Sequence, residues 1–268
     1  MSARTLVLSW LVVCFATATA TTSAQAPSAA SGTVLVTGAN RGLGLEFVKQ
    51  YATEGWRVIA TTRNPGDAPE LSALALENAK IAVERLDVRD AAQIAALAIK
   101  YRGQPIDLLI NNAGVLGDLD AQKLGSLDYA QFEDVMAVNA FAVLAVSDAF
   151  REHVAASGRK KIVAITSRSG ILSQPGWRGP YFYRASKVAL NMEMRMLADE
   201  LRESGIIVAL VAPAPTDTDM LRELIGEQGA ASQARPADSV ARLIDLIDRV
   251  DAEHSGQPLF DDGSVLPW

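Results

Sequence analysis

Cysteine is nearly absent. The 268 residues hold one, Cys14, so no disulfide can form within the chain. Histidine is almost as scarce, with only His153 and His254, and neither stands near the cysteine, so a histidine- or thiolate-based metal site is not expected. No basic run occurs, and 25 Lys and Arg against 31 Asp and Glu give a formal net charge of −6. That balance argues against a nucleic-acid partner, and an anionic ligand has to be held by local cations. There is no internal repeat at solenoid period and no linker that splits the chain. The apolar stretch at residues 6–15 is too short to cross a bilayer core of roughly 30 Å.

What is present begins with an ordinary globular composition, 49% hydrophobic and 21% charged. Residues 1–30 differ from the rest: Arg4, the apolar stretch, then Ala, Thr and Ser with no charge until Arg41. This is the order of a secretory signal peptide, with cleavage expected at Ala18-Thr19-Ala20 or Thr22-Ser23-Ala24. It implies a secreted or periplasmic protein with no stable membrane insertion after leader removal. Cys14 follows Val13 rather than the small residue that a lipidated cysteine wants. A transit peptide and a misplaced start, with Met136 the next methionine, stay open, and with them an organellar or cytoplasmic location. Residues 31–268 are read as a single domain.

In that domain β-like and helical stretches alternate. Strands are expected at 33–37, 57–61, 82–86, 106–110, 162–166 and 206–211, and 258–260 adds a seventh. Helices are expected at 43–54, 69–78, 91–101, 132–156, 180–203 and 239–250. The strands are almost continuously apolar, as strands buried on both faces are. Repeated β-α-β order then implies an α/β fold: a Rossmann-type doubly wound parallel sheet of about seven strands with helices on both faces. Residues 171–182 and 216–236 are read as long irregular stretches.

Thr37-Gly38-Ala39-Asn40-Arg41-Gly42-Leu43-Gly44 stands between the first strand and the first helix. Glycines there allow a tight turn against a pyrophosphate, and the helix N-terminus presents free N–H groups to it. A dinucleotide is the expected ligand, a plain glycine-rich turn the alternative. The second strand ends Ile59-Ala60-Thr61-Thr62-Arg63, with no acid to hold ribose hydroxyls. Arg63 and Arg41 offer planar forks suited to a 2′-phosphate, so NADPH/NADP+ is expected ahead of NAD unless both arginines are simply solvated.

Tyr183 and Lys187 are four apart in a helical segment, hence on one face and about 6 Å apart along the axis. A tyrosine ordinarily titrates near about 10, and a neighbouring cation lowers that by roughly 1–3, toward the range useful in acid–base catalysis. Tyr181 offers a rival register. Ser167 ends the fifth strand, where a hydroxyl can bond a substrate oxygen; Thr166 and Ser169 are rivals, and each of the three can cap a turn instead. Asn139 sits mid-helix against its propensity.

The spacing G-x-x-x-G-x-G from Gly38 to Gly44, Asn111-Asn112-Ala113-Gly114 after the fourth strand, Ser167 with Gly170, Tyr183 with Lys187, and the ending Asp262-Gly263-Ser264-Val265-Leu266-Pro267-Trp268 together resemble the short-chain dehydrogenase/reductase family. Within it the chain is most similar to the single-domain carbonyl-reductase-like and C-factor-like members, from about Thr33 to Trp268. The resemblance implies hydride transfer between a small carbonyl or alcohol substrate and NADPH/NADP+, with Ser167, Tyr183, Lys187 and Asn139 as the catalytic set. It implies a cofactor site of Gly38, Asn40, Arg41, Gly42, Leu43 and Gly44 at the phosphates and Arg63 at the ribose end. Asp87 and Val88 would meet the adenine, with Asn112, Ala113 and Gly114 forming the wall beside the ribose. Lys187 would hold the nicotinamide ribose, with Pro213 and Thr218 near the nicotinamide. Asn139 would bend its helix and bind a water that relays protons to Lys187.

Ala214 departs from the glycine usual after Pro213, a costly change if that backbone needs positive φ and a mild one if it does not. Trp177, Tyr181, Leu116 and Met220 hint at an apolar or aromatic ligand. Relatives include dimers, tetramers and monomers. A cofactor-binding signalling protein with little turnover is the alternative, and an epimerase or dehydratase is disfavoured by the glycine spacing.

Overall fold

The computed structural model describes residues 31–173 and 179–267; the expected leader, Cys14, Trp177 and Trp268 lie outside the described residues. Short apolar runs rich in branched residues form parallel strands β1 (Thr33–Val36), β2 (Arg57–Thr62), β3 (Ile81–Arg85), β4 (Leu108–Asn111), β5 (Lys161–Ile165), β6 (Ile207–Ala212) and β7 (Pro258–Phe260). Among the described residues they build one seven-stranded sheet in the order β3-β2-β1-β4-β5-β6-β7. The connecting helices are α1 (Gly42–Thr53), α2 (Pro69–Glu77), α3 (Ala91–Lys100), α4 (Tyr129–Met136), α5 (Ala142–Ala155), α6 (Tyr181–Leu201), α7 (Asp219–Ile225), α8 (Glu227–Ala231) and α9 (Pro236–Arg249).

Side chains alternate across each strand, which splits the core into two layers. Val34, Val36, Leu108 and Ile110 face one way and pack with Phe47, Val48 and Leu243 of α1 and α9. Leu35, Leu109, Ile162 and Leu210 face the other way and pack with Val146, Phe150, Leu190 and Met194 of α5 and α6. Both layers are apolar, which explains the unbroken apolar strands. At the amino ends of the strands Arg159 stacks on Trp56, 4.6 Å from the ring centre, and pairs with Asp248 at 2.6 Å. Beside it the buried Lys161 Nζ donates to the Asp248 carbonyl at 3.1 Å.

The strand order reverses between β1 and β4, whose register pairs Val36 with Ile110. In open α/β sheets such a reversal opens a crevice beyond the carboxyl ends of the strands. Three elements differ from expectation. The helix expected at 132–156 is α4 and α5 joined by a π turn, Ala137–Phe141, with Asn139 at its centre and its side chain fully buried. The stretch read as irregular at 216–236 holds α7 and α8. Thr218 Oγ1 caps α7 by accepting from Leu221 N at 3.4 Å, and Gly226 at φ +81 ends it; helices of this length leave too short a periodic run to be seen. The last helix begins at Pro236 rather than Ser239, with proline at the first helical position, where its missing N–H costs nothing.

Candidate active site

The crevice is a cleft of about 810 Å³ that runs from the end of β3 past the glycine turn to the start of α6. At its centre Thr37 N continues the ladder to Ile110 O at 3.0 Å, and Ala39 N donates to Thr61 O at 2.8 Å, so the turn leaves the sheet in a fixed direction. Gly38 lies at φ +65, and a Cβ on Gly44 would stand 2.2 Å from Gly38 O; neither position admits a side chain without a backbone shift. Helix α1 starts at Gly42 with Arg41 as N-cap and no side-chain acceptor, which leaves its first N–H groups directed at the cleft. The Asn112 amide clips this turn to β4, donating to Thr37 O at 2.9 Å and Gly38 O at 3.1 Å. Thr37 Oγ1 accepts in return from Asn112 N and Ala113 N. Asn111 turns inward to Ser147 Oγ at 3.0 Å.

Gly38, Asn40, Arg41, Gly42, Leu43, Gly44, Arg63, Asp87, Val88, Asn112, Ala113, Gly114, Pro213 and Thr218 all line this one cleft. Arg41 is exposed and pairs with Asp219 of α7 at 3.3 Å; Arg63 is exposed at the end of β2. Asp87 is half-buried and bonded by Arg89 at 3.0 Å, a contact that holds its carboxyl below the usual range. Sequence reasoning missed Arg89, which also reaches Asp134 at 3.2 Å. It missed Asp67 as well, an exposed acid lining the same end of the cleft four residues past Arg63. The only available signal was their nearness to Asp87 and Arg63.

Ala214 lines the cleft too. The only described non-glycine residue at positive φ is Lys160, so the alanine is not strained. Thr218 caps α7, as noted. Of the residues expected to hint at the ligand, Leu116 and Met220 line the cleft, while Tyr181 is exposed and does not.

At the other end the helical spacing puts Tyr183 and Lys187 on the face of α6 that turns to the cleft. Lys187 Nζ sits 5.8 Å from the Tyr183 ring centre and donates to Ile165 O at 2.9 Å; burial brings its ammonium down to about 8. Burial pushes the Tyr183 phenol up, and its hydrogen bond with Ser167 only partly opposes this. That corrects the expectation from spacing, a phenol lowered by the neighbouring cation: here burial raises it, and Ser167 is the group that opposes the rise. Ser167 Oγ accepts from Ser169 N at 3.1 Å, so it caps the turn after β5 and also meets the phenol. Its rival Thr166 is buried, with its hydroxyl spent on Asn191 Oδ1. Asn139 does not line the cleft. Its side chain brackets Val115 N and Val115 O, at 2.8 Å each, and donates to Ser186 Oγ at 3.0 Å.

A phosphate turn at the switch point of a parallel sheet, with a phenol and an ammonium in the same cleft, defines a Rossmann-type oxidoreductase domain. The comparisons with known proteins agree. The short chain dehydrogenase family model matches residues 32–229. The C-signal of Myxococcus xanthus is 36% identical over 165 residues, 61% of this chain and 93% of that protein. The 1-hydroxy-2-glutathionyl-2-methyl-3-butene dehydrogenase of Rhodococcus sp. (strain AD45) is 33% identical over 239 residues, 88% of this chain and 99% of the relative. Among solved structures, the NADPH-bound carbonyl reductase from chicken fatty liver superposes with a TM-score of 0.80 at 30% identity, covering 88% of this chain and 98% of that one. The chain belongs to the short-chain dehydrogenase family, oxidoreductases that act on CH–OH and C=O groups with a nicotinamide cofactor.

Proposed function

We propose that the protein is an NADPH-dependent reductase that converts a small ketone or aldehyde to the alcohol, or runs the reverse, with Tyr183 as its proton donor. The observation that carries this reading is the convergence of Ser167, Tyr183 and Lys187 on the same cleft as the glycine turn. The residues suit a phosphorylated dinucleotide: Gly38 and Gly44 admit no side chain, the α1 N-terminus is uncapped, and Arg41 and Arg63 are the cations a 2′-phosphate needs. Asp87 and Val88 would meet the adenine, and Pro213 and Thr218, which line the same cleft, would lie near the nicotinamide.

When bound, the reduced nicotinamide supplies hydride to the carbonyl carbon. The chain's own groups manage the oxygen. Ser167 Oγ and Tyr183 Oη both donate to it, and Tyr183 Oη gives up its proton as negative charge develops. A phenol raised by burial stays protonated at neutral pH, the form a reduction requires. Lys187, titrating near about 8, is still largely charged at neutral pH and offsets the phenolate left behind. Asn139 holds the Val115 backbone and Ser186, and so braces the helix that carries both.

The similarity to a protein named for signalling favours a second reading, a cofactor-binding signal protein with little turnover. Loss of NADPH absorbance with a panel of aldehydes, ketones and quinones separates the two. Tyr183→Phe is expected to abolish that turnover and leave NADPH binding, followed by fluorescence, nearly unchanged. Wild-type turnover in this variant sinks the assignment.

A further inference from the structure

Gln122 belongs to no motif and does not line the cleft, yet it is 2% exposed and both ends of its amide are engaged. It closes a short 3₁₀ turn, Asp120–Gln122, between β4 and α4. Its Nε2 donates to Leu116 O at 3.0 Å and Asp118 O at 3.1 Å. Its Oε1 accepts from Phe182 N at 2.9 Å and Tyr183 N at 3.1 Å. Helix α6 needs such an acceptor, because the first N–H groups of a helix have no intrahelical partner and the N-cap here is Pro180, which supplies no side-chain bond. Gln122 therefore caps α6 from 60 residues away in sequence.

The other side of the Tyr183 backbone is held as well. Tyr183 O accepts from Ser186 Oγ at 2.7 Å, and Ser186 Oγ accepts from Asn139 Nδ2, which also donates to Val115 O. Two adjacent residues of the cleft wall are thus tied to Tyr183 by separate routes. One runs from Leu116 O through Gln122 to Tyr183 N, the other from Val115 through Asn139 and Ser186 to Tyr183 O. Val115 and Leu116 line the cleft together with Tyr183. The hydrogen bonds close a ring that sets the tyrosine against the Val115–Leu116 wall of the cleft.

We propose that Gln122 is a positioning residue: through its amide it fixes Tyr183 relative to the Val115–Leu116 wall and so aligns proton delivery with the seated carbonyl. This rests on the reading of Tyr183 as proton donor. A primary amide suits the task because it donates and accepts at once, whereas an ionised carboxylate only accepts and a thioether does neither usefully. A catalytic group displaced by about 1 Å can cost about 10²-fold in rate.

The test compares kcat, carbonyl KM and NADPH Kd for wild type, Gln122→Met, Gln122→Glu and Tyr183→Phe in the full chain. Gln122→Met is expected to lose about tenfold or more in kcat with NADPH Kd held within about twofold, since the glycine turn is untouched. Gln122→Glu keeps the acceptor at α6 and, ionised, loses the donor to the wall, so kcat lies within about threefold of wild type while carbonyl KM rises. A wild-type kcat in Gln122→Met overturns the proposal, and so does a loss of NADPH affinity that matches the loss of rate. If Gln122→Met does not fold, Gln122→Glu decides: near-normal kcat with raised KM supports the proposal, and a loss as deep as that of Tyr183→Phe overturns it. Turnover in Tyr183→Phe breaks the functional reading itself. A dead Tyr183→Phe beside a normal Gln122→Met breaks only the role of Gln122.

Discussion

Replacing Lys187 by methionine is expected to kill turnover and, near neutral pH, to relieve the folded state of a buried charge. Lys187 is 6% exposed, and burial holds its ammonium at about 8 against an ordinary 10.5. At ~1.4 kcal/mol per pH unit this is a cost of about 3 kcal/mol to the fold at neutral pH. Methionine fills similar volume without charge but leaves Ile165 O unpaired, at about 1–3 kcal/mol. The net change near neutral pH is therefore small, and the pH dependence carries the information. The folded-state value is depressed, so between about 8 and 10.5 the unfolded chain binds a proton that the folded chain does not, and wild-type stability rises with pH across that window. The methionine variant has no such term. Its stability relative to wild type should fall by about 2 kcal/mol from about pH 7 to about pH 9.5, while the Ile165 penalty cancels in the difference. Urea unfolding of both proteins at both pH values, extrapolated linearly, measures it. A difference that stays flat with pH refutes the claim that Lys187 is held down by burial.

The cofactor end yields two further expectations. Arg63→Ala removes the cation proposed to hold the 2′-phosphate, a charge-assisted contact that would be worth about 1.5–3 kcal/mol, so KM for NADPH should rise about tenfold or more while that for NADH barely moves; equal losses with both cofactors would show that Arg63 does not read the 2′-phosphate. Gly44→Ala puts a methyl group 2.2 Å from Gly38 O and 2.5 Å from Asn112 Nδ2, an overpacking expected to cost about 1–3 kcal/mol and to weaken NADPH binding. An unchanged melting temperature in that variant would mean the turn is looser than its geometry indicates.

Local signals made much of this molecule legible in advance. Strands such as Val34-Leu35-Val36 are apolar because helices cover both faces, so a run of a few residues sufficed to place them. Gly38, Gly44, Tyr183 and Lys187 announce themselves because a tight turn or a helical spacing confines each to a short window. What escaped depends on distant partners. Gln122 looks like any loop glutamine until the fold brings Phe182 N and Tyr183 N to it. Arg89 matters because the end of β3 puts it between Asp87 and Asp134. The sign at Tyr183 was misjudged because spacing reveals the neighbouring cation but not the depth of burial. Helices α7 and α8 were hidden by their brevity, and the π turn at Asn139 by its single inserted residue.

The clamp of Trp56, Arg159, Asp248 and Lys161 sits at the amino ends of strands whose carboxyl ends bear the chemistry. The sheet thereby has a foundation at the amino tips of β2 and β5 and its tools at the opposite ends. Wear at the foundation shortens the working life of the molecule, whereas change among the tools alters what it makes. Because the two kinds of damage are separated by the length of the sheet, the loops at the working tip are free to diversify toward new substrates without loosening the frame that carries them.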